Sequence, residues 1–575
     1  MARAGSFGFS LPPGSEVLDG RRDAAAPRAE DGEDMNSART GILLASLLVA
    51  VLFSASCGDR GTGLEPVTAQ ELDAHIRFLS DDLLEGRALG TRGIAVAEQY
   101  QEDLFRTFGL EPVFGSSFRQ AFDLRGTAPD RNANLEIVSQ KARIVPALWD
   151  DFVVGSERAD VPGEVSGEIV YCGFLIQAPE RGWDDVKGVD LMGKVILCEI
   201  NEPGNFPGGI FDGEAMTWYG RWIAKFEKAA ELGAAGIFII HNDKGAAYGW
   251  EIVRAGRSKE TFFLPDKNPS LAFQGWITGA AAETIFGAAK MSRAELLARA
   301  EGPAFVPVPL GLQAKVRQAP TFRTVSAQNV AGMVRGKHKE ARGRTVVISA
   351  HHDHLGRDTA LAGDQIYNGA VDNCSATAAM LGLAAFYAQR PEALKVNLVF
   401  AGFTAEEEGL LGSTHFVRHL PFPAGSVIAD INLEMTNVWG ETEDVFAIGA
   451  GESDLDGVCR EAAEAMGLRY IPERHKELGF FLRSDQLSFA RAGIPGVWLH
   501  QGIVSKTGDK DHARKEFEEY QALRYHKVTD EVGEDWDLAG TLQIVRWAQE
   551  IVRKLGERPE PPRFRPESPF AKPQG

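Results

Sequence analysis

The sequence has few cysteines and no surplus of basic residues, and each shortage excludes a class of function. Only five of its 575 residues are cysteine, and no two of them form a C-x-x-C pair, so a thiolate zinc site is not expected. Acidic residues outnumber basic ones 80 to 61, which gives a formal charge of −19. Nucleic acids and anionic membrane surfaces are therefore poor candidates as partners. The sequence also contains no internal repeat.

Two of the cysteines lie in short apolar stretches of similar composition. Cys172 is in GEIVYCGF and Cys198 is in GKVILCEI, and both stretches are typical of buried strands. We expect two buried thiols at these positions. A disulfide between them, formed in an oxidising compartment, is the alternative.

The N-terminal region contains an apolar run that is too short for an ordinary membrane span. Residues 35–57, MNSARTGILLASLLVAVLFSASC, combine one arginine, an apolar run and small residues before Cys57, a pattern typical of a signal peptide. The small residues before Cys57 resemble a bacterial lipobox, although Ser54 stands where that motif prefers leucine. We expect export across the inner membrane to the periplasm, with lipid attachment at Cys57 or ordinary cleavage as the two outcomes. Residues 1–34 are expected to be disordered, or to precede the true start at Met35.

The length of the chain predicts two or three domains, and its composition changes along the sequence. The predicted divisions are a disordered leader with signal peptide at 1–57, the first part of the main domain at 66–130, an inserted mostly-β module at 131–318, the remainder of the main domain at 319–557, and a disordered tail at 558–575. A capping pattern, Thr68-x-x-Glu71, predicts where the first helix begins. Alternating strands and helices after residue 322 predict an α/β fold, with a mixed central sheet and helices on both faces.

Potential metal ligands follow three of the predicted strands. TVVISAHHD, KVNLVFAGFTAEE and SVIADINLEM each run from apolar residues into histidine or acids. Because the carboxyl ends of parallel strands meet at one edge of a sheet, we expect these side chains to converge there. Five groups can share one site with two cations and a bridging carboxylate: His351, Asp372, Glu407, Glu434 and His526. Mixed imidazole and carboxylate donors favour zinc, and a water between two cations would serve as the nucleophile of a hydrolase.

Each of these residues also has a simpler interpretation when it is taken alone. A single histidine at a strand end is usually structural, AEEEG is typical of a solvated loop or a helix start, and Asp372 before an asparagine is typical of a turn. The joint pattern is what favours a metal site. Unpaired carboxylates in one cleft would repel one another and bind protons, whereas a divalent cation removes that repulsion.

Six short motifs resemble those of metallopeptidase family 28, in the same order and at similar spacing: AHHDHLG, IYNGAVDNCSA, FTAEEEGLLGS, INLEM, RAGIP and YHKVTDE. The family comprises co-catalytic zinc exopeptidases, including aminopeptidase Y and glutamate carboxypeptidase types. The resemblance covers roughly residues 70–130 and 320–555. It implies a zinc exopeptidase fold, two zinc ions per chain and a peptide substrate.

The resemblance also implies a role for each residue at a matching position. These roles are His351 as the first terminal ligand, Asp353 as the carboxylate that orients it, Asp372 as the bridge, Glu406 as the general base, and Glu407, Glu434 and His526 as further ligands. In the family the bond after the bridging aspartate, here Asp372–Asn373, is commonly cis.

The chain departs from the family pattern at several positions. Glu434 stands where the family usually has aspartate, Ala376 stands where it has glycine, and Gln486 stands where many relatives have histidine. His352 and His354 are additional histidines, which we expect to be wall or hydrogen-bonding residues because only alternate strand positions face one side. Some relatives with glutamate at the position of Glu434 are glutaminyl cyclases with a single zinc.

The inserted module resembles a protease-associated domain, mainly through KFEKAAELGAAGIFIIHND. The resemblance implies that it covers the cleft and helps to select substrates without contributing a catalytic group. The predicted function is therefore a secreted or lipid-anchored zinc aminopeptidase that uses a metal-bridging water and a glutamate base. A glutamate carboxypeptidase-like enzyme, a dipeptidase and a mono-zinc glutaminyl cyclase are the alternatives. The carboxypeptidase would need a cationic pocket, for which Arg483 is a candidate. The sequence does not indicate an oligomeric state.

Overall fold

The computed structural model describes residues 67–571, apart from 142, 205–209, 212–214, 266–269 and 475. The predicted leader, signal peptide and lipid attachment site at Cys57 lie outside the described residues. Within the described residues, no helix combines the length and the apolar character needed to cross a membrane.

The described residues form two large sheets and two small strand pairs. The strands are β1 (Glu111–Pro112), β2 (Arg119–Ala128), β3 (Asn134–Val138), β4 (Arg143–Ile144), β5 (Phe152–Gly155), β6 (Glu164–Tyr171), β7 (Gln177–Ala178), β8 (Trp183–Asp184), β9 (Val195–Glu199), β10 (Gly236–His241), β11 (Thr261–Phe263), β12 (Phe273–Thr278), β13 (Val308–Arg317), β14 (Thr321–Val334), β15 (Thr345–His351), β16 (Gly356–Arg357), β17 (Ile366–Tyr367), β18 (Asn397–Phe403), β19 (Val427–Asn432), β20 (Asp444–Ile448), β21 (Arg469–Tyr470) and β22 (Gly496–Gln501). The α-helices are α1 (Ala69–Leu79), α2 (Arg92–Phe108), α3 (Trp222–Glu231), α4 (Asp243–Ala246), α5 (Trp250–Arg257), α6 (Gly279–Ala288), α7 (Arg293–Ala300), α8 (Ala376–Ala388), α9 (Leu411–Arg418), α10 (Leu455–Ala465), α11 (Gln486–Arg491), α12 (His512–Leu523) and α13 (Ala539–Glu557).

The first sheet is mixed, as the sequence predicted. Its strand order is β11-β2-β14-β18-β15-β19-β22-β20-β21, and β1 pairs with β14. The four neighbouring strands β18, β15, β19 and β22 run parallel to one another. Antiparallel pairs flank them: β2 pairs with β14, β14 with β18, and β20 with β22. The carboxyl ends of the four parallel strands therefore lie along one edge, where loops can bring distant residues together.

Both faces of this sheet are buried, which explains why its central strands are apolar throughout. In β15, Val346 and Ile348 belong to the apolar cluster that includes α8, whereas Val347 belongs to the cluster on the other face. That second cluster includes Phe416 of α9 and Phe489 of α11. Successive side chains of a strand point to opposite faces, so a strand covered on both sides needs apolar residues at every position.

The second sheet is built from residues 134–317, within the stretch predicted to be an insert. Its strand order is β4-β3-β13-β6-β9-β10-β12-β5. Among its described residues, this stretch also contains the five helices α3 to α7. Strand β11 pairs with β2 of the first sheet instead. Cys172 and Cys198 are buried free thiols, as predicted.

The C-terminal tail packs against the first sheet's domain, contrary to the expectation that it is disordered. Phe570 is 1% exposed, and its ring centroid lies 5.7 Å from that of Phe481. The Arg565 amide donates to the carbonyl of Glu452 (3.0 Å), and the Ser568 hydroxyl donates to its carboxylate (2.6 Å). A proline-rich composition predicted no regular structure, but one buried aromatic ring and these hydrogen bonds suffice to hold the segment in place.

The N-terminal segment is fastened to the first sheet by a buried arginine. The predicted capping box at the start of α1 is present, and the turn after α1 ends in Arg87, which is 1% exposed. Its guanidinium donates to the carbonyls of Leu79 (2.6 Å), His352 (2.9 Å) and Asn368 (2.6 Å). His352 follows β15, and Asn368 lies four residues before Asp372. Arg87 therefore joins two loops that carry predicted site residues.

We predict that Arg87→Ala lowers the free energy of unfolding by about 3 kcal/mol or more, because it leaves buried carbonyls without donors and opens a cavity. Arg87→Lys should also be destabilising, since an ammonium cannot reproduce the fork of the guanidinium. Urea denaturation followed by fluorescence measures the change. Arg92→Ala, at an exposed arginine in the same segment, is the control. Equal unfolding midpoints for Arg87→Ala and Arg92→Ala would contradict the assignment.

Candidate metal centre

The first donor group gathers around His351, the last residue of β15. His351 is fully buried, and its Nδ1 donates to the backbone carbonyl of Asp353 (3.2 Å). Because Nδ1 makes this bond, Nε2 is the ring nitrogen that is available to bind a metal ion. Nε2 lies 3.2 Å from Asp372 Oδ1 and 3.0 Å from Glu434 Oε1. The three side chains thus place one nitrogen and two oxygens around a common point.

The second donor group shares Asp372 with the first. Asp372 Oδ2 lies 3.2 Å from His526 Nε2, and Glu407 Oε2 lies 3.3 Å from the same nitrogen. The two oxygens of the Asp372 carboxylate therefore face different groups, as the predicted bridging role requires. All five predicted ligands converge at the carboxyl edge of the parallel strands.

The two additional histidines make hydrogen bonds close to this centre. His354 Nδ1 donates to Glu407 Oε1 (2.7 Å), and His354, Asp372 and Glu407 are close enough to form a donor group of their own. His352 Nε2 lies 2.6 Å from the hydroxyl of Thr404. Burial, together with neighbouring positive charges, lowers the pKa of His352 to about 3, so its ring is neutral.

Glu406 stands beside the first donor group without belonging to it. Its Oε2 is 4.0 Å from His351 Nε2, and the side chain is 9% exposed. Burial raises the pKa of Glu406 well above its ordinary value; Glu434 and Glu407 add to this effect, although His351 opposes it. A carboxyl that binds a proton readily and lies next to the predicted metal ligands is placed to move protons there.

The carboxylate of Asp353 holds the loop that carries Glu406 and Glu407. Its oxygens accept hydrogen bonds from the backbone N–H groups of Glu406 (3.1 Å) and Glu407 (3.2 Å). The nearest carboxylate oxygen is 3.7 Å from His351 Nδ1, and the backbone carbonyl of Asp353 is the group that bonds the ring. Asp353 thus contacts the ring of His351 through its main chain and holds the loop after β18 through its side chain.

Asp530, which the sequence analysis did not single out, holds the loop of the bridging carboxylate. It accepts hydrogen bonds from the N–H groups of Val371 (3.0 Å) and Asp372 (3.1 Å) and from the hydroxyl of Tyr520 (3.1 Å). The Asp372–Asn373 peptide bond in this loop is cis, as the resemblance suggested. The acid in YHKVTDE, four residues after His526, was the available signal.

Ser484 is a second residue that sequence reasoning missed. Its hydroxyl donates to Glu434 Oε2 (2.6 Å) and accepts a hydrogen bond from the amide of Asn432 (2.7 Å). The backbone carbonyl of Glu434 accepts a hydrogen bond from the indole of Trp498 (2.9 Å). These bonds fix the longer glutamate arm that replaces the usual aspartate.

The charges of the centre fit divalent cations. Burial disfavours the charged form of His526, yet Glu407 and Asp372 raise its pKa to about 11. Glu407 and Asp372 therefore attract positive charge strongly. Asp372 Oδ1 is buried without a hydrogen-bond partner, as expected of an atom that serves as a metal ligand. Imidazole nitrogens and carboxylate oxygens together suit zinc.

Part of the chain matches the model of a known protein family. Residues 329–548 match the model of Peptidase family M28. Aminopeptidase YwaD of Bacillus subtilis is 33% identical over 184 residues, which are 30% of this chain and 35% of that protein. The chain thus matches about a third of the length of this curated relative.

Solved structures of similar proteins include two aminopeptidases. The aminopeptidase from Aneurinibacillus sp. strain AM-1 has a TM-score of 0.47 and 19% identity, over 85% of this chain and 93% of that one. BSAP, a zinc aminopeptidase from Bacillus subtilis, has a TM-score of 0.38 and 18% identity, over 86% of this chain and 95% of that one. The match to the family model covers every predicted site residue, from His351 to His526.

Proposed function

We propose that the protein is a zinc-dependent aminopeptidase, which removes N-terminal residues from peptides. The observation that carries this proposal is the shared carboxylate of Asp372, whose two oxygens face two separate donor groups, with Glu406 at their side. The names of two similar proteins, an aminopeptidase and a zinc aminopeptidase, support the same function.

Two zinc ions would be held by the two donor groups. His351, Asp372 and Glu434 would hold one ion, and Asp372, Glu407 and His526 would hold the other. When bound, such ions supply Lewis acidity that polarises a carbonyl and lowers the pKa of water. His354 donates a hydrogen bond to Glu407 and would keep its carboxylate in place.

Glu406 performs the proton transfers in the proposed reaction. Its carboxylate takes a proton from the attacking water as the C–O bond forms at the scissile carbonyl carbon. It then delivers that proton to the amine nitrogen as the C–N bond breaks, so that one water molecule is consumed for each bond cleaved. The hydrogen bond from the Glu406 N–H to Asp353 keeps the carboxyl at the centre throughout.

We further propose that the protein is exported, and that Cys57 is the site of lipid attachment. The apolar run and the small residues before Cys57 support this proposal. Labelled palmitate supplied to cells should enter the protein, and Cys57→Ser should abolish the labelling. Unlabelled wild-type protein in the soluble periplasmic fraction would indicate an ordinary signal peptide instead.

The proposed activity predicts a specific pattern of substrates. Aminoacyl arylamides with a free amine should be hydrolysed, and their N-acetyl derivatives should not. A chelator should abolish hydrolysis and added zinc should restore it, with about two zinc ions bound per chain by metal analysis. Cleavage of N-blocked peptides from the C-terminus would indicate a carboxypeptidase and would overturn the proposal.

Replacement of the proposed base should remove turnover without removing metal. We expect Glu406→Gln to lower kcat by about 10²–10⁴-fold, because the amide cannot accept the proton. Zinc content should stay at the wild-type value, since Glu406 belongs to neither donor group. Glu408→Gln is the matched control, at a neighbouring acid that is not a predicted ligand, and it should retain activity. Near-wild-type turnover in Glu406→Gln would exclude Glu406 as the base.

A further inference from the structure

Two arginines without an acidic partner lie on segments that meet where the stretch that builds the second sheet contacts the first sheet's domain. Arg221 immediately precedes α3, and Arg483 immediately precedes Ser484. Among the described residues, neither guanidinium forms an ion pair or a hydrogen bond, and Arg221 Nε is buried without a partner. In a chain with 80 acidic residues, two neighbouring arginines that lack an acid require an explanation. We name them the arginine pair.

The position of Arg221 is fixed by the contact between α3 and α11. Arg491 of α11 donates to Glu227 of α3 (2.8 Å), and its guanidinium lies 4.6 Å above the ring centroid of Trp218. Trp218 and Leu482, the residue before Arg483, also line the same cavity. The segments that carry the arginine pair are therefore packed against each other.

The position of Arg483 places the pair beside the metal centre. Its neighbour Ser484 donates a hydrogen bond of 2.6 Å to Glu434, a predicted metal ligand. Adjacent Cα atoms are about 3.8 Å apart. The backbone of Arg483 is therefore next to a residue that directly contacts a predicted metal ligand. Arg483 is exposed and open to a substrate, whereas Arg221 is half-buried and its Nε is buried without a partner.

The surroundings of the pair contain aromatic and cationic groups, and the acid Glu227 of α3 is paired with Arg491. Arg257 lies over the ring of Trp222 at 5.4 Å from its centroid. Burial lowers the pKa of Arg221 to about 10, and the charge of Arg483 contributes. Burial raises the pKa of Tyr248, which Arg221, Arg483 and Arg257 oppose. The first turn of α3 contains no acidic residue. Positive charge is thus concentrated at one point, where an anion would relieve the repulsion.

We infer that Arg221 and Arg483 form a subsite for a carboxylate of the peptide substrate, on the C-terminal side of the bond that is cleaved. This inference rests on the proposed aminopeptidase function, because it assigns that side to the leaving group. Guanidinium groups bind carboxylates through paired, charge-assisted hydrogen bonds. The carboxylate can be the C-terminus of a di- or tripeptide or an acidic side chain next to the cleaved bond.

Matched substrates distinguish the two sources of the carboxylate. Leu-Gly and Leu-Gly-Gly are compared with their C-terminal amides, and Leu-Glu-amide is compared with Leu-Gln-amide. In the wild-type enzyme we expect kcat/KM to be about tenfold higher for the acid in at least one pair, as one charge-assisted hydrogen bond would give. The first comparison reports a C-terminal carboxylate, and the second reports an acidic side chain.

Variants of the pair test whether these arginines cause the preference. Arg221→Gln and Arg483→Gln should each bring the acid-to-amide ratio of kcat/KM towards one, mainly through a higher KM for the acid. Arg483→Glu should reverse the preference. Because both substrates are measured on one preparation, the active fraction cancels from the ratio. Arg254→Gln is the matched control: Arg254 lies in α5 and faces Asp150 at 3.8 Å, and the ratio should stay at the wild-type value.

The outcome separates this inference from the proposed function. A leucine arylamide has no carboxylate, so its hydrolysis reports the aminopeptidase activity alone. If the arylamide is cleaved but the wild-type ratio is near one for every pair, the inference is overturned while the proposed function stands. A ratio that persists unchanged in Arg221→Gln and Arg483→Gln also overturns it. If the arylamide is not cleaved, the proposed function itself fails.

Discussion

The concentration of negative charge at one edge of the first sheet is the constraint on which the site depends. Asp372, Glu406, Glu407 and Glu434 are drawn together there, and each is largely buried. Buried carboxylates repel one another, and imidazoles that bind protons can offset this only in part. The raised pKa of His526 shows how strongly the site attracts positive charge. Cations and protons thus compete for the same donor atoms, and binding of a metal ion would release protons from them.

Backbone hydrogen bonds keep these mutually repelling groups in place. Asp353 binds the N–H groups of the loop after β18, Asp530 binds those of the Asp372 loop, and Arg87 binds carbonyls in two loops. Each of the three side chains is buried and charged, and each acts on the main chain. A side chain that binds the main chain positions a predicted metal ligand without placing another metal-binding atom at the centre. The loops are therefore held together across the sequence, from the N-terminal segment to the segment after α12.

The sequence predicted those features that a local pattern determines. Strand β15 is apolar at every position because both faces of the sheet are covered, and its abrupt change to His351 marked the site. Thr68 and Glu71 predicted the start of α1 for an equally local reason. The acid in YHKVTDE marked Asp530 itself, but its hydrogen bond to the N–H of Asp372, 158 residues away, depends on the order of the strands, which no local pattern encodes. The tail was mispredicted because proline content does not reveal the burial of Phe570.

The contact between α3 and α11 determines how the two sheets can act together. The side chains of Arg491 and Glu227 are 23% and 20% exposed. Trp218 is only 5% exposed and belongs to the apolar core of the first sheet's domain. An interface that shares a core with the main domain resists relative movement more than a polar contact does. Arg221 is therefore carried on a segment that packs against the domain of Glu434. In the proposed subsite, a residue outside the first sheet would discriminate between substrates because packing sets its position.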